Sequence, residues 1–290
     1  MTRFEFEAIG TSWQIDIQKE LTSNEEALLL NEIKERIDIF DKNYSRFRSD
    51  SLVTQMSKVS GTYEMPNDAG NMIGLYEKVY KLTNGLVTPL IGEVLVQAGY
   101  DADYSLVKKE MTASELWEQV IMWNDPVLNL KKPALLDFGA CGKGYLVDIV
   151  SEILEKKDIF SYCVDAGGDM RYRNELLVPL KIGLENPDDF ESVIGVVLLT
   201  NKSLCGSAGN RRKWADMHHI INPKTLVSPL EIKSVWVIAE NTIISDILTT
   251  ALFFTSPETL EEHFSFDYFI LYQDFNYRKS EGFTAELFLK

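Results

Sequence analysis

Cysteine, histidine and long apolar runs are scarce in this chain, and each shortage removes a class of function. The three cysteines, Cys141, Cys163 and Cys205, stand far apart in 290 residues and form no C-x-x-C. Neither a zinc knuckle nor a disulfide framework is therefore expected. No run of about 18 apolar residues is present, so no transmembrane helix is expected. The opening residues MTRFEFEAIG lack a basic segment leading into an apolar one, which argues against a signal peptide. Basic residues are also in the minority, with 29 Lys and Arg against 44 Asp and Glu and a net charge of −15. Non-specific nucleic-acid binding needs phosphate neutralisation and is not expected. An acidic protein still takes a phosphorylated ligand when a divalent cation bridges the two. The reading is a reduced, cytoplasmic protein with no membrane anchor of its own.

What is present is a mixture of two periodicities. EFEAIGTSWQIDIQ has strand character with a Gly-Thr break. Ser23–Glu26 reads as a capping box, and Leu28, Leu29, Ile33, Ile37 and Phe40 follow at helical spacing. A second helix is expected from Asp68 to Asn84, stopped by Gly85, and a short one behind a capping box at Thr112–Glu115. PALLDFG reads as a strand before the helix GYLVDIVSEILEKK. Strands follow at SYCVDAGG, LKIGLEN, IGVVLLT and SVWVIAE, then the helix TIISDILTTALFF and a last strand at ELFLK. The pattern argues an α+β or α/β fold, treated as one domain over residues 1–290.

Five stretches offer chemistry. DFGACGKG (137–144) is a glycine-rich turn with one lysine, but its glycines are too close for a P-loop and Gly144 stands where the magnesium-binding hydroxyl would be. Asp246, Thr249 and Thr250 share one side of a helical turn, a hard oxygen set suited to Mg²⁺ or simply a polar stripe. His218 and His219 are adjacent, so on a strand at most one faces a site; that one is a candidate general base or a structural histidine. Gly167 and Gly168 end a strand where backbone approaches a ligand closely or merely turns. Phe47, between two arginines, is a stacking platform or a core residue.

Taken in order, the segments AIGTSW (8–13), YSRFRSDS (44–51), GLVTPLIGEVLVQAGY (85–100), LDFGACGKGYLVD (136–148), VDAGGDMR (164–171), IGLENP (182–187), HHIINPKT (218–225) and SDILTTALF (245–253) cover nearly the whole chain. In this wording the chain resembles the ApbE-like family of FAD:protein FMN transferases. The resemblance implies an α+β fold of mixed sheets with surrounding helices and the ligand in a central cleft. It implies FAD contacts from Ile9, Phe47, Val87, Thr88, Pro89, Asp137, Lys143 and Ile220. It also implies Mg²⁺ held by the Ala140 carbonyl, Asp246 and Thr250 with Thr249 beside them, and His219 on the acceptor side. The family usually has FDP where this chain has Val87-Thr88-Pro89, and other residues at Ile9, Met56, Asn222 and Leu226. CGSAGNRRKW (205–214) is likewise rewritten; these changes are expected at the rim of the flavin pocket. The implied activity is Mg²⁺-dependent transfer of FMN from FAD to a Thr or Ser hydroxyl of an acceptor flavoprotein, releasing AMP. Hydrolysis of FAD to FMN and AMP, or FAD binding without catalysis, stand as alternatives.

Overall fold

Residues 1–210, 213–214 and 217–289 are described by a computed structural model. The chain opens with β1 (Thr2–Ala8) and β2 (Thr11–Ile17), joined by the two-residue turn Ile9-Gly10 with both φ positive, the geometry that tight hairpins favour. Next come α1 (Ser23–Tyr44), α2 (Leu52–Met56), β3 (Gly61–Glu64), α3 (Ala69–Leu82), a 3₁₀ turn at Pro89–Ile91, α4 (Gly92–Ala98) and α5 (Trp117–Val120). Strands β4 (Ile121–Asn124) and β5 (Val127–Leu130) precede α6 (Gly142–Glu155). A run of strands follows: β6 (Tyr162–Ala166), β7 (Asp169–Arg173), β8 (Leu180–Asn186), β9 (Asp189–Leu199), β10 (Ser203–Ala208), β11 (Lys213–Trp214), β12 (Met217–His218) and β13 (Ile232–Ala239). The remaining elements are α7 (Thr242–Ala251), α8 (Pro257–Glu261), β14 (Phe266–Tyr272), β15 (Tyr277–Lys279) and β16 (Ala285–Leu287).

An eight-stranded sheet in the order β1-β2-β6-β7-β10-β13-β14-β15 forms the backbone of the fold. Its described pairings are all antiparallel. Smaller sheets are β16-β9-β8, β3-β5-β4 and the β11-β12 ribbon. The layering follows from strand alternation. On β13, Val235 and Val237 face the main core, which holds α6 and α7, while Trp236 and Ile238 face a second core containing Leu184 of β8 and Val197 of β9. On β14, Tyr268 and Ile270 take the first side and Phe269 and Leu271 the second. Both strands are buried on both faces and therefore read as near-continuous apolar runs. The expected α+β class holds.

Local differences have physical causes. The first helix is capped one residue earlier than the Ser23 box: Thr22 accepts from the Glu25 amide while Glu25 reaches back to Thr22. The Thr112–Glu115 box does not form: the Thr112 amide donates to Gln97 Oε1 at 2.7 Å and the Glu115 carboxylate takes the Lys132 ammonium. PALLDFG is not a strand. Its amides bond to loop and helix-end carbonyls, Ala134 to Met56 at 3.1 Å and Asp137 to Pro89 at 2.8 Å, so no ladder is available. The final Lys290 of ELFLK lies outside the described residues.

Candidate active site

Helices α6 and α7 meet at Gly144. A Cβ there would lie 2.5 Å from the Thr242 carbonyl oxygen and 2.6 Å from the Asp246 Cβ, so only glycine admits this approach. The Gly144 amide donates to Asp246 Oδ2 at 2.8 Å. One turn further along α6, Asp148 accepts from the amides of Thr242 (2.9 Å) and Ile243 (2.8 Å), capping α7. The glycine-rich stretch thus docks α7 against the start of α6 and fixes Asp246 in place.

Lys143 leaves the same turn toward β7. Its ammonium pairs with Asp169 and donates to the Ala166 carbonyl at 3.0 Å. Asp169 is placed by the Gly167-Gly168 turn, where φ is +63° and +96° and the Gly168 amide donates to Asp165. Burial, together with the Asp169 charge, pushes the Asp246 carboxyl well above the usual carboxylate range. Burial works against the Lys143 ammonium, but Asp169 and Asp246 outweigh it and its pKa is raised. Two buried carboxylates therefore share one lysine.

These groups line a cavity of about 360 Å³. Phe47, Val87, Thr88, Asp137, Ala140 and Lys143 reach it, as do His219, Ile220, Asp246 and Thr250. Three of the expected residues do not line it. Thr249 is buried, and its hydroxyl donates to the Asp246 carbonyl at 2.7 Å. Pro89 is buried and offers its carbonyl to Asp137. Ile9 sits in the hairpin turn, and its neighbours Gly10 and Thr11 form the wall.

Asp137 borders the cavity with both oxygens engaged: Oδ2 takes Arg46 Nε at 2.5 Å and Oδ1 takes the Gly139 amide at 2.7 Å. Arg46 also donates to the Tyr100 carbonyl at 2.7 Å and lies 4.1 Å over the Phe47 ring. Tyr76 donates to the Asp137 carbonyl and accepts from the Ala140 amide, both at 3.2 Å, holding the peptide that precedes the Ala140 carbonyl. Arg46, Tyr76 and Asp169 are site residues that spacing alone missed. Arg46 and Asp169 stand in the SRF and GGD words beside the ring and the glycines, while Tyr76 lies inside α3 with no signal of its own.

Of the two histidines, His219 faces the cavity. His218 is buried, with Nε2 at 3.0 Å from the Pro229 carbonyl and Nδ1 accepting from the Ile220 amide. That pattern is the neutral Nε2–H tautomer, and burial lowers the His218 pKa. Three departures expected at the rim lie elsewhere. Met56 is fully buried in the main core, Asn222 closes its own turn by accepting from the Lys224 and Thr225 amides, and Leu226 packs beside Trp214 and Ile221. Thr88 and Gly206–Ala208 do line the cavity, while Arg211 and Arg212 lie outside the described residues.

Among the described residues, no group of three or more His, Cys, Asp and Glu is placed to hold a metal, which gives no support to a nitrogen–sulfur site. The Asp246 carboxylate, Ala140 carbonyl and Thr250 hydroxyl, beside a carboxylate pair one positive charge short, fit a hard divalent cation. The α6 N-terminus opens on the same corner and favours negative charge. No helix among the described residues is long and apolar enough to cross a membrane.

The sequence profile of the ApbE family matches residues 9–266. The FAD:protein FMN transferase of Escherichia coli strain K12 is 22% identical over 284 residues, covering 90% of this chain and 80% of that one. The FAD:protein FMN transferase of Haemophilus influenzae is 25% identical over 263 residues, covering 82% and 74%. The ApbE protein of Thermotoga maritima superposes with a TM-score of 0.82 at 21% identity over 97% of both chains. The flavin transferase ApbE of Vibrio cholerae gives 0.79 at 19% over 96% of both. Since the family profile runs unbroken from the Ile9 turn through α7 to Phe266, the chain belongs to the ApbE family.

Proposed function

We propose that this protein is an FAD:protein FMN transferase, moving FMN from FAD to a Thr or Ser hydroxyl of an acceptor flavoprotein with release of AMP and dependence on Mg²⁺. The observation that carries it is the charge imbalance at Asp246, Asp169 and Lys143 beside the α6 N-terminus, in the same cavity as the Phe47 ring. A pyrophosphate between two aromatic ends needs such a corner. Bound Mg²⁺ supplies charge neutralisation on the pyrophosphate as negative charge builds on the leaving phosphate.

The remaining work falls to the protein's own groups. Lys143 neutralises a phosphate as a point charge. Phe47, Val87, Thr88 and Ile220 take the flavin, and Asp137 acts through Arg46 and the Gly139 amide by shaping the turn. The acceptor hydroxyl oxygen forms a bond to the flavin-side phosphorus. The bond from that phosphorus to the bridging oxygen breaks, and AMP leaves with the electron pair. His219 takes the hydroxyl proton. Three free thiols, two of them buried, support a reducing compartment such as the cytoplasm.

The test is a mass measurement on a candidate acceptor flavoprotein incubated with this protein, FAD and Mg²⁺. A gain of one FMN with release of AMP is the expected result. FMN and AMP free in solution with no labelled acceptor would mean hydrolysis, and bound FAD without turnover would mean a binding protein.

A further inference from the structure

We propose that Tyr104 plugs the ring end of the cavity, standing against Phe47 where a ligand ring stacks, so that a ring enters only when Tyr104 leaves. The inference rests on the reading of the cavity as a flavin dinucleotide site. The Tyr104 and Phe47 rings are stacked, with centroids 5.4 Å apart and planes inclined by 11°. Tyr104 also meets the edge of Tyr100 at 5.4 Å. Its hydroxyl reaches the opposite wall, where a Cβ on Gly10 would lie 3.7 Å away. Phe47, Tyr100 and Gly10 all line the cavity, so this one side chain stands against three of its lining residues. A ring sandwiched between two others needs them about 7 Å apart, twice the contact distance. Tyr104 and Phe47 are too close to admit one.

The surroundings show a ring that is held in place yet free to go. Tyr104 takes φ +50°, a backbone state that a non-glycine residue keeps only when neighbours impose it. The residue is half exposed, at 51%, so limited burial is lost when its ring swings out. Residues 104–116 carry no helix or strand, yet their frame is pinned. The Leu106 amide donates to Gly99 at 2.8 Å, the Lys109 amide donates to Gln97 at 2.7 Å, and Asp101 accepts from the Ser105 amide and hydroxyl. The side chain can therefore rotate about its own bonds while the loop stays.

A plug that must leave lowers the apparent affinity for a ligand that sets a flavin ring against Phe47 and leaves alone one that has no flavin. The experiment titrates FAD, FMN and ADP, without turnover, against wild type, Tyr104→Ala and Tyr104→Phe, with melting temperatures recorded. ADP carries the pyrophosphate and adenine but no flavin. Tyr104→Ala should bind FAD and FMN about 2- to 10-fold more tightly, the value of one aromatic stack, with FAD association faster and ADP unchanged. Tyr104→Phe keeps the ring and should match the wild type. Unchanged or weaker FAD binding by Tyr104→Ala at an unchanged melting temperature overturns the plug while leaving the flavin site standing. A wild type that binds ADP but neither FAD nor FMN overturns both.

Discussion

Arg46 Nε donates to Asp137 Oδ2 at 2.5 Å, and both side chains are almost wholly removed from water. Breaking such a pair from one side leaves a lone buried charge, which costs about 3–5 kcal/mol. Arg46→Ala should lose about that much stability in urea denaturation. Arg46→Lys should also be damaging, because a lysine cannot reach Asp137 and the Tyr100 carbonyl together while covering the Phe47 ring. A lysine variant with wild-type stability would show that the fork geometry is not needed.

Lys143→Met should have two separable effects. Loss of the phosphate contact should weaken FAD binding by roughly 1–3 kcal/mol. Loss of the partner of Asp169, which is 1% exposed, should lower the melting temperature of the ligand-free protein. Adding Asp169→Asn should restore the melting temperature and leave FAD affinity low. Unchanged FAD affinity in both variants would remove Lys143 from the ligand set.

Asp246→Asn should stabilise the ligand-free protein and abolish its response to Mg²⁺. The folded pKa of Asp246 lies above its unfolded value, mainly through burial. Such a group costs stability at every pH above the unfolded pKa, and the cost grows as pH rises from that value toward the folded one. The asparagine variant should therefore be the more stable at pH 7, with the difference shrinking as pH falls toward the unfolded carboxylate pKa. Wild type should gain melting temperature when Mg²⁺ and FAD are added together; the variant should gain less. An equal Mg²⁺-dependent gain would place the cation elsewhere.

Gly144→Ala adds one methyl where the Thr242 carbonyl already sits at 2.5 Å. Backbone cannot yield as a side-chain tip does, so α6 and α7 must separate, at a cost of about 1–3 kcal/mol. The Mg²⁺ response should fall with it, since the same shift draws the Gly144 amide away from Asp246. Gly74→Ala, with nothing within 4 Å of the added Cβ, is the control and should be neutral or slightly stabilising. Equal stabilities for the two would show that the helices are not tightly docked.

Much of the site was legible because its words are local. The helix carrying Asp246 and Thr250, the glycine-lysine turn and the adjacent histidines are each specified within a few residues, and strand alternation assigned His218 and His219 to opposite sides. What spacing could not give is which partner each charge takes across the fold. Lys143 lies between Asp137 and Asp148 in the sequence, yet it pairs with Asp169, across the α6–β7 contact. Asp137 instead takes Arg46, 91 residues away. Thr249 and Thr250 were equivalent by helical spacing, and packing decided that only Thr250 faces the cavity. PALLDFG failed as a strand because an apolar extended run needs a free sheet edge, and only isolated loop and helix-end carbonyls were beside it.

The order of strands in the large sheet has a consequence for synthesis. β2, paired with β1 from the start, finds its second partner only when β6 arrives, with Trp13 opposite Ala166, and β10, beside β7, waits for β13 to cover its other edge. The cavity draws its walls from Gly10 through Phe254. A chain growing from its N-terminus therefore holds its first hairpin and α1 for most of translation without the pocket they help to form. Long-range pairings of this kind close slowly. A nascent chain that has not yet released α7 lacks Asp246 and Thr250, so a ligand that needs them cannot guide the early steps. Ligand acts on the last one, where it draws an assembled protein away from partly folded forms that still expose both faces of the central strands.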